Sequence, residues 1–262
     1  MSAKLVLQKH LYDREYAKYN GYELENWRIS YIMNILGALG LKKEDTFLDI
    51  GVGGTGYTVI EAARRGVKAI GIDLSSQGMK KAKRFSKIQL NKECFCEFVI
   101  CSATHIPLRT CLISKIASVA VLEHIPNDET AFDEISRIST GDSSVFLVVP
   151  NTYSRMLPPF SLPYMLHDKR VGHLRHYKAE VLIEKLAKRS FRLVKISYSV
   201  HIPKILQYFL GASLWRQTKM NPRVWWQLER LDSKMCNLPT GFNISLCLRK
   251  LDEQSKNNIT SG

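Results

Sequence analysis

No stretch of this 262-residue sequence approaches the eighteen or so uninterrupted apolar residues that span a bilayer, and its opening residues carry no apolar run of the signal-peptide kind. The expectation is a cytoplasmic protein. Cysteine is sparse, with Cys94, Cys96, Cys101, Cys111, Cys236 and Cys247 as the full set. Without an export signal these read as reduced thiols rather than a disulfide framework. The first four lie near one another, but alternate cysteines on a strand simply face one side of a sheet, so no metal ligands are assigned. No internal repeat and no recognisable nucleic-acid module is present. Acidic residues are in deficit: 24 Asp and Glu stand against 38 Lys and Arg, a formal net charge of +14. That balance suits a nucleic acid, an anionic membrane surface or an acidic substrate and selects none of them. The run Lys80, Lys81, Lys83, Arg84 and Lys87, at helical spacing, also makes an ordinary solvated face.

What is present is enough apolar residue, 45% of the chain, for one large α/β core with insertions. Tyr22 to Leu36 carries Trp27, Ile29, Ile32, Met33, Ile35 and Leu36 near helical spacing, and Gly37 with Gly40 is expected to stop that helix. From Thr46 short apolar runs alternate with amphipathic stretches, the βαβ signature of a parallel sheet. Strands are expected at TFLDIG, VKAIGID, EFVICSA, KIASVAVLE, SSVFLVVP, FRLVKISYS and NISLCLRK, with helices at Val59 to Arg65, Thr130 to Ile138 and Ala179 to Ala187. Pro158, Pro159 and Pro163 mark an irregular segment. His201 to Thr240 is longer than any hairpin loop needs and reads as an insertion with its own structure. The organisation expected is a helical lid over 1–44, a core over 45–200, a helical cap over 201–240, and a last strand with tail over 241–262.

The strongest local signal is the run Phe47 to Gly56, FLDIGVGGTG, which ends an apolar strand and opens a helix. Gly51 and Gly53 allow a tight turn and a close approach of backbone to ligand. A plain strand-to-helix turn would read the same way. The second strand, however, ends in Asp73 about twenty residues on, where a carboxylate can accept both ribose hydroxyls of an adenosine. Alone, Asp73 would read equally as a helix N-cap.

Taken together the sequence resembles the class I S-adenosylmethionine-dependent methyltransferases, in particular their small-molecule branch related to ubiquinone and menaquinone biosynthesis. LDIGVGGTG is similar to the family's first motif and GID to its acidic second. Cys101-Ser102-Ala103 with Ile106-Pro107 resembles the turn that holds adenine, VLEHI the segment after the fourth strand, and GHLRHY the segment before the last core helix. The resemblance implies a Rossmann-like, doubly wound seven-stranded sheet, mostly parallel with the last strand antiparallel, and S-adenosylmethionine as cofactor. It implies that Asp49, Gly51 and Gly53 border the methionine part, Asp73 the ribose, and Ser102 with Ala103 the adenine, with Val52, Leu74 and Val119 as further cofactor contacts. Two departures stand out: Thr55 sits where the family has its third glycine, with Gly56 one place later, and Ser102 replaces a frequent acid.

Methyl transfer mainly requires alignment and exclusion of water, so few residues are compulsory. An oxygen acceptor of high pKa needs a base, and His124, His173 and His176 are the candidates, each of which could instead pack or brace a loop. Arg175 could hold a phosphate or carboxylate of the acceptor, or close a structural ion pair. Leu157-Pro158-Pro159-Phe160 is discounted as an amino-group methyltransferase motif because it lacks Asn and follows the fifth strand. The expected acceptor is a small or lipid-linked molecule, methylated at oxygen. Ile202, Ile205, Leu206, Phe209 and Leu210, followed by Trp215, Trp225 and Trp226 among Arg216, Lys219, Arg223 and Arg230, could pack in the core or touch an anionic membrane. Nucleic acid is not an expected partner. An RNA or DNA methyltransferase, a non-catalytic cofactor-binding scaffold and a dehydrogenase with the same glycines remain as rivals.

Overall fold

Two-residue periodicity in the strands divides the interior into two apolar layers. Leu48 and Ile50 of one strand, with Val145, Leu147 and Val149 of another, face one layer, while Phe47, Phe146 and Val148 face the other. These strands belong to a computed structural model that describes residues 3–17, 26–156, 161, 164–165, 168, 171–202, 204–205 and 222–252. In chain order the elements are α1 (Ala3–Ala17), α2 (Asn26–Leu39), β1 (Thr46–Ile50), α3 (Tyr57–Arg64), β2 (Lys68–Asp73), α4 (Ser76–Gln89), β3 (Cys96–Ile100) and β4 (Ile113–Val119). They continue with α5 (Asp128–Ile138), β5 (Ser139–Pro150), α6 (Ala179–Ala187), β6 (Phe191–Ser199), α7 (Pro222–Lys234) and β7 (Asn243–Lys250).

The strands form one seven-stranded sheet in the order β3-β2-β1-β4-β5-β7-β6, parallel except that β7 runs antiparallel to both β5 and β6. Residues of α2, α3 and α4 cover one face and those of α5 and α6 the other. The order reverses between β1 and β4. In an open sheet of this kind the crevice outside the carboxyl ends at that point is where a ligand binds.

Most expected elements appear within two residues of their expected ends, and the deviations have local causes. The helix ahead of β1 runs through Gly37 to Leu39, and Gly40, in the left-handed region at φ 57°, ends it. The helix expected from Thr130 starts at Asp128, because Asn127 caps it by accepting the Thr130 N–H. The cysteines are all free, and Cys94 and Cys96 pack toward one layer as alternation requires. Along α4, Lys80, Lys83, Arg84 and Lys87 are exposed, whereas Lys81 reaches back to carbonyls of α1.

Within the 201–240 region the described helix is α7. It is tied to the sheet by Asp232, whose carboxylate accepts the N–H groups of Val200 (3.0 Å) and His201 (2.6 Å) at the end of β6. Leu206, Phe209, Leu210, Trp215, Arg216 and Lys219, and the prolines 158, 159 and 163, lie outside the described residues, as do the side chains of Trp225 and Trp226.

Candidate active site

The β1 strand is buried and ends in a glycine turn that the interior forces on the chain. The N–H groups of Gly51 and Val52 both donate to the Ile72 carbonyl, at 2.8 and 3.1 Å, so the loop folds back over β2. Gly51 sits at φ 79°, and a Cβ there would stand 2.1 Å from Val121 Cγ2, so both the backbone angle and the space demand glycine. Gly56 has the same logic: at φ 64° it would place a Cβ 2.8 Å from the Phe98 ring, so glycine is demanded there too.

Asp73 ends β2 and joins the two loops. One carboxylate oxygen accepts the Gly53 N–H at 2.9 Å, the other accepts the Ser75 N–H at 2.8 Å. It therefore closes the turn and forms part of the cleft wall, but the N-cap of α4 is Ser75, whose hydroxyl accepts the Gly78 N–H at 3.0 Å, so Asp73 is not the helix cap its position alone equally suggests. Burial raises its pKa against those backbone bonds. Asp49, behind the loop, is pushed up to about 7, chiefly by burial, with a hydrogen bond from Thr58 opposing.

Together these elements enclose a cleft of about 760 Å³, its open mouth included. Gly51, Asp73, Leu74, Ser102, Ala103 and Val119 line it, while Asp49, Val52 and Gly53 do not. Ser102 spends part of its capacity locally, bonding Thr104 through its hydroxyl at 2.8 Å and accepting the Thr104 N–H at 3.2 Å.

The cleft's outer wall comes from α1, through Gln8, Tyr12 and Tyr16. Asp13 fixes that helix by accepting the Ser75 hydroxyl (2.5 Å) and the Gln77 N–H (3.0 Å) at the start of α4, while pairing with Lys9 at 2.9 Å. Gln8 donates to the carbonyl of His124. The Tyr16 ring lies against Gly53, Gly54 and Gly78, where side chains would crowd it.

Beyond the cleft a file of rings leads inward. His124 lines the cleft, meets Tyr12 edge-on (centroids 5.7 Å) and His173 (4.7 Å), and His173 in turn meets His176 (5.9 Å). Burial, with His173 nearby, lowers the His124 pKa to about 4, against a backbone hydrogen bond to Gly172, so the ring is neutral at pH 7. Asp168, itself buried, gathers the other two: His173 Nδ1 stands 2.7 Å and His176 Nε2 2.8 Å from its oxygens, and the Tyr153 hydroxyl donates to it. Burial works against the charge of Asp168, but these three partners hold its carboxyl well below the usual range. Glu123, fully buried, lies on the other side of His173, 3.8 Å from Nε2, and burial with the Asp168 charge pushes it up to about 8.

Arg175 stands apart from the cleft wall. Its guanidinium donates to the carbonyls of Leu122, Ile125 and Pro126 and lies 3.7 Å from Asp128, which braces the turn carrying Glu123 and His124. Of the four candidate catalytic residues, only His124 reaches the cleft, with His173 and His176 in file behind it. Sequence reasoning did not single out Asp168, Tyr153 or Asp13, and it placed Glu123 only at the carboxyl end of a strand, on the ligand side of the sheet. The first motif and GHLRHY flagged their neighbours, but a carboxylate in an aperiodic segment carries no spacing that points to its partners.

A doubly wound sheet of this order, with a glycine turn after β1 and a carboxylate after β2 meeting at the switch point, defines the class I methyltransferase fold. Residues 48–147 match the family described as Methyltransferase domain. The ubiquinone biosynthesis O-methyltransferase of Nitrosomonas europaea is 28% identical over 131 residues, 50% of this chain and 53% of that protein, so the chain spans about half the length of the curated relative it matches. Among solved structures, the [4+2]-cyclase SpnF is similar with a TM-score of 0.65 at 16% identity, over 96% of this chain and 98% of that one. Geranyl diphosphate C-methyltransferase from Streptomyces coelicolor gives a TM-score of 0.63 at 14% identity, over 85% of this chain and 76% of its own.

The cleft's own groups fit the cofactor. A side-chain-free turn at Gly51 leaves room at the carboxyl end of β1, and a buried acceptor, Asp73, stands beside it. A hydroxyl, Ser102, and an apolar wall of Leu74, Ala103, Val119 and Ile125 complete a lining suited to a nucleoside.

Proposed function

We propose that the protein methylates an oxygen of a small, partly apolar acceptor, with His124 as the base, and that the observation carrying this reading is the neutral His124 ring in the wall of the cleft. When bound, S-adenosylmethionine supplies a methyl carbon activated by positively charged sulfur. Asp73 accepts the ribose hydroxyls, Ser102 and Ala103 border the adenine, and Gly51 borders the methionine end. Tyr12 and Tyr16 of α1 exclude water from the cleft. One ring nitrogen of His124 donates to the Gly172 carbonyl, leaving the other with a lone pair to take the acceptor's hydroxyl proton. Asp168, one ring away, holds His173 against the His124 ring. Arg175 acts as a positioning residue through the carbonyls it braces. The oxygen target draws support from the name of the Nitrosomonas relative and from the need for a base, which methylation at a more basic nitrogen would not impose.

The test is a survey of candidate acceptors and cell extracts with labelled S-adenosylmethionine, with mass spectrometry of whatever gains a methyl group. His124→Gln is then expected to lose roughly 10²–10⁴-fold in kcat while binding cofactor about as tightly as wild type. Wild-type turnover by His124→Gln removes it as the base. Absence of any methylated product in every extract favours a non-catalytic or non-methylating use of the fold, and label carried by RNA would revive the RNA-methyltransferase reading.

A further inference from the structure

We propose that Asp168, His173 and His176 form a binding site for one divalent cation of the borderline transition-metal class, zinc being the representative ion. Their spacing, Asp-x4-His-x2-His, is folded into a single cluster by the backbone, since the N–H groups of Gly172 (2.8 Å) and His173 (3.2 Å) both donate to the Asp168 carbonyl. Gly172 makes this closure at φ 79°, with open space around its Cα. His173 Nδ1 and His176 Nε2 converge on the two oxygens of one carboxylate, and all three residues offer ligand atoms within 4.8 Å of one another. Two imidazoles and one carboxylate are the donor set that zinc and its neighbours prefer. In tetrahedral coordination, ligand atoms about 2.1 Å from an ion stand roughly 3.4 Å apart, so the contacts at 2.7 and 2.8 Å need to open only a little.

A purely hydrogen-bonded hub would account for Asp168 with His173, His176 and Tyr153. It leaves one observation without a role. Among the described residues, the two oxygens of Glu123, which is fully enclosed, accept no hydrogen bond. Glu123 Oε1 lies 3.8 Å from His173 Nε2, the ring nitrogen turned away from Asp168. A carboxylate behind the distal nitrogen is the arrangement that orients and strengthens a metal-bound histidine. A cation between Asp168, His173 and His176 would use Oδ1, make His173 a ligand through Nδ1, and draw its Nε2–H toward Glu123. Arg175 holds the Glu123 turn in place. The ion so bound would touch no cofactor and would fix His173 against His124, so its role is to position that ring.

The experiment uses the full chain, stripped of metal, titrated with Zn2+ against a chromophoric chelator and separately loaded with Co2+ for visible spectroscopy. One equivalent of Zn2+, a Co2+ ligand-field spectrum without sulfur charge-transfer bands, and a melting temperature raised by Zn2+ are expected. His176→Gln should abolish all three, and Glu123→Gln should weaken Zn2+ roughly 10- to 100-fold while leaving the fold unchanged by circular dichroism. The proposal is overturned by absence of uptake, by equal uptake in His176→Gln, or by thiolate bands that assign the ion to cysteine. These readouts do not involve methyl transfer, so their failure is separate from failure of the proposed activity.

Discussion

Asp49 is enclosed on every side at the end of β1, and its pKa near 7 is a statement about stability as well as charge. The folded value lies above the ordinary 3.8, so the fold favours the neutral acid. Its contribution is fully present below about pH 4 and is lost as the pH rises through 7. Asp49→Asn, which cannot ionise, should therefore gain stability relative to wild type between pH 5 and pH 8, by an amount on the order of a few kcal/mol at the upper end, seen as a higher melting temperature. Thermal unfolding of ligand-free protein at both values checks this, and parallel curves for the two proteins would refute it. Single residues were legible where the backbone itself imposes identity. Gly51 and Asp73 fall in that group, because a turn with no room for Cβ and a carboxylate bonded to Gly53 across twenty residues both leave a spacing in the sequence. Asp168 was not, since its partners come from segments with no shared period, and Glu123 was legible only as a strand-end residue.

At the scale of elements, the strands and most helices could be read from periodicity because each buries one face against the sheet, as Val59, Ala62 and Ala63 do on α3 and Phe132 and Ile135 on α5. The helix α1 escaped that reading. Its inner face is a polar and aromatic wall of Gln8, Tyr12, Asp13 and Tyr16, whose partners are loops and a helix start rather than a sheet. Its attachment rests largely on Asp13, held ionised to about pH 2: burial opposes the charge, but hydrogen bonds from Ser75, Gln77 and Lys9 prevail. Removing these hydrogen bonds costs about 1 kcal/mol. Asp13→Ala is accordingly expected to speed amide exchange across residues 3–17 and to raise the cofactor off-rate roughly fivefold, with the exchange of β1 and β4 unchanged. Hydrogen exchange by mass spectrometry and stopped-flow release measure the two effects, and wild-type exchange in α1 would show that Asp13 is not the latch.

For the whole molecule, the +14 charge acquires a direction only when the surface is laid out. On α1 the residues turned from the cleft include Val6, Leu7 and Leu11, with Leu7 72% exposed, and Arg14 follows them. That helix packs on α4, where Lys80, Lys83, Arg84 and Lys87 are exposed. Exposed apolar side chains beside exposed cations can meet an anionic bilayer through both contact and charge. No described helix is long and apolar enough to cross a membrane. Co-sedimentation with vesicles containing anionic lipid should be strong at low salt and weaken toward physiological ionic strength, where the screening length shortens to about 8 Å. Leu7→Ser with Leu11→Ser should reduce it several-fold without changing cofactor affinity, because neither side chain lines the cleft. Binding that is equal in the variant would transfer the role to charge alone, and no binding by wild type would refute contact with the bilayer.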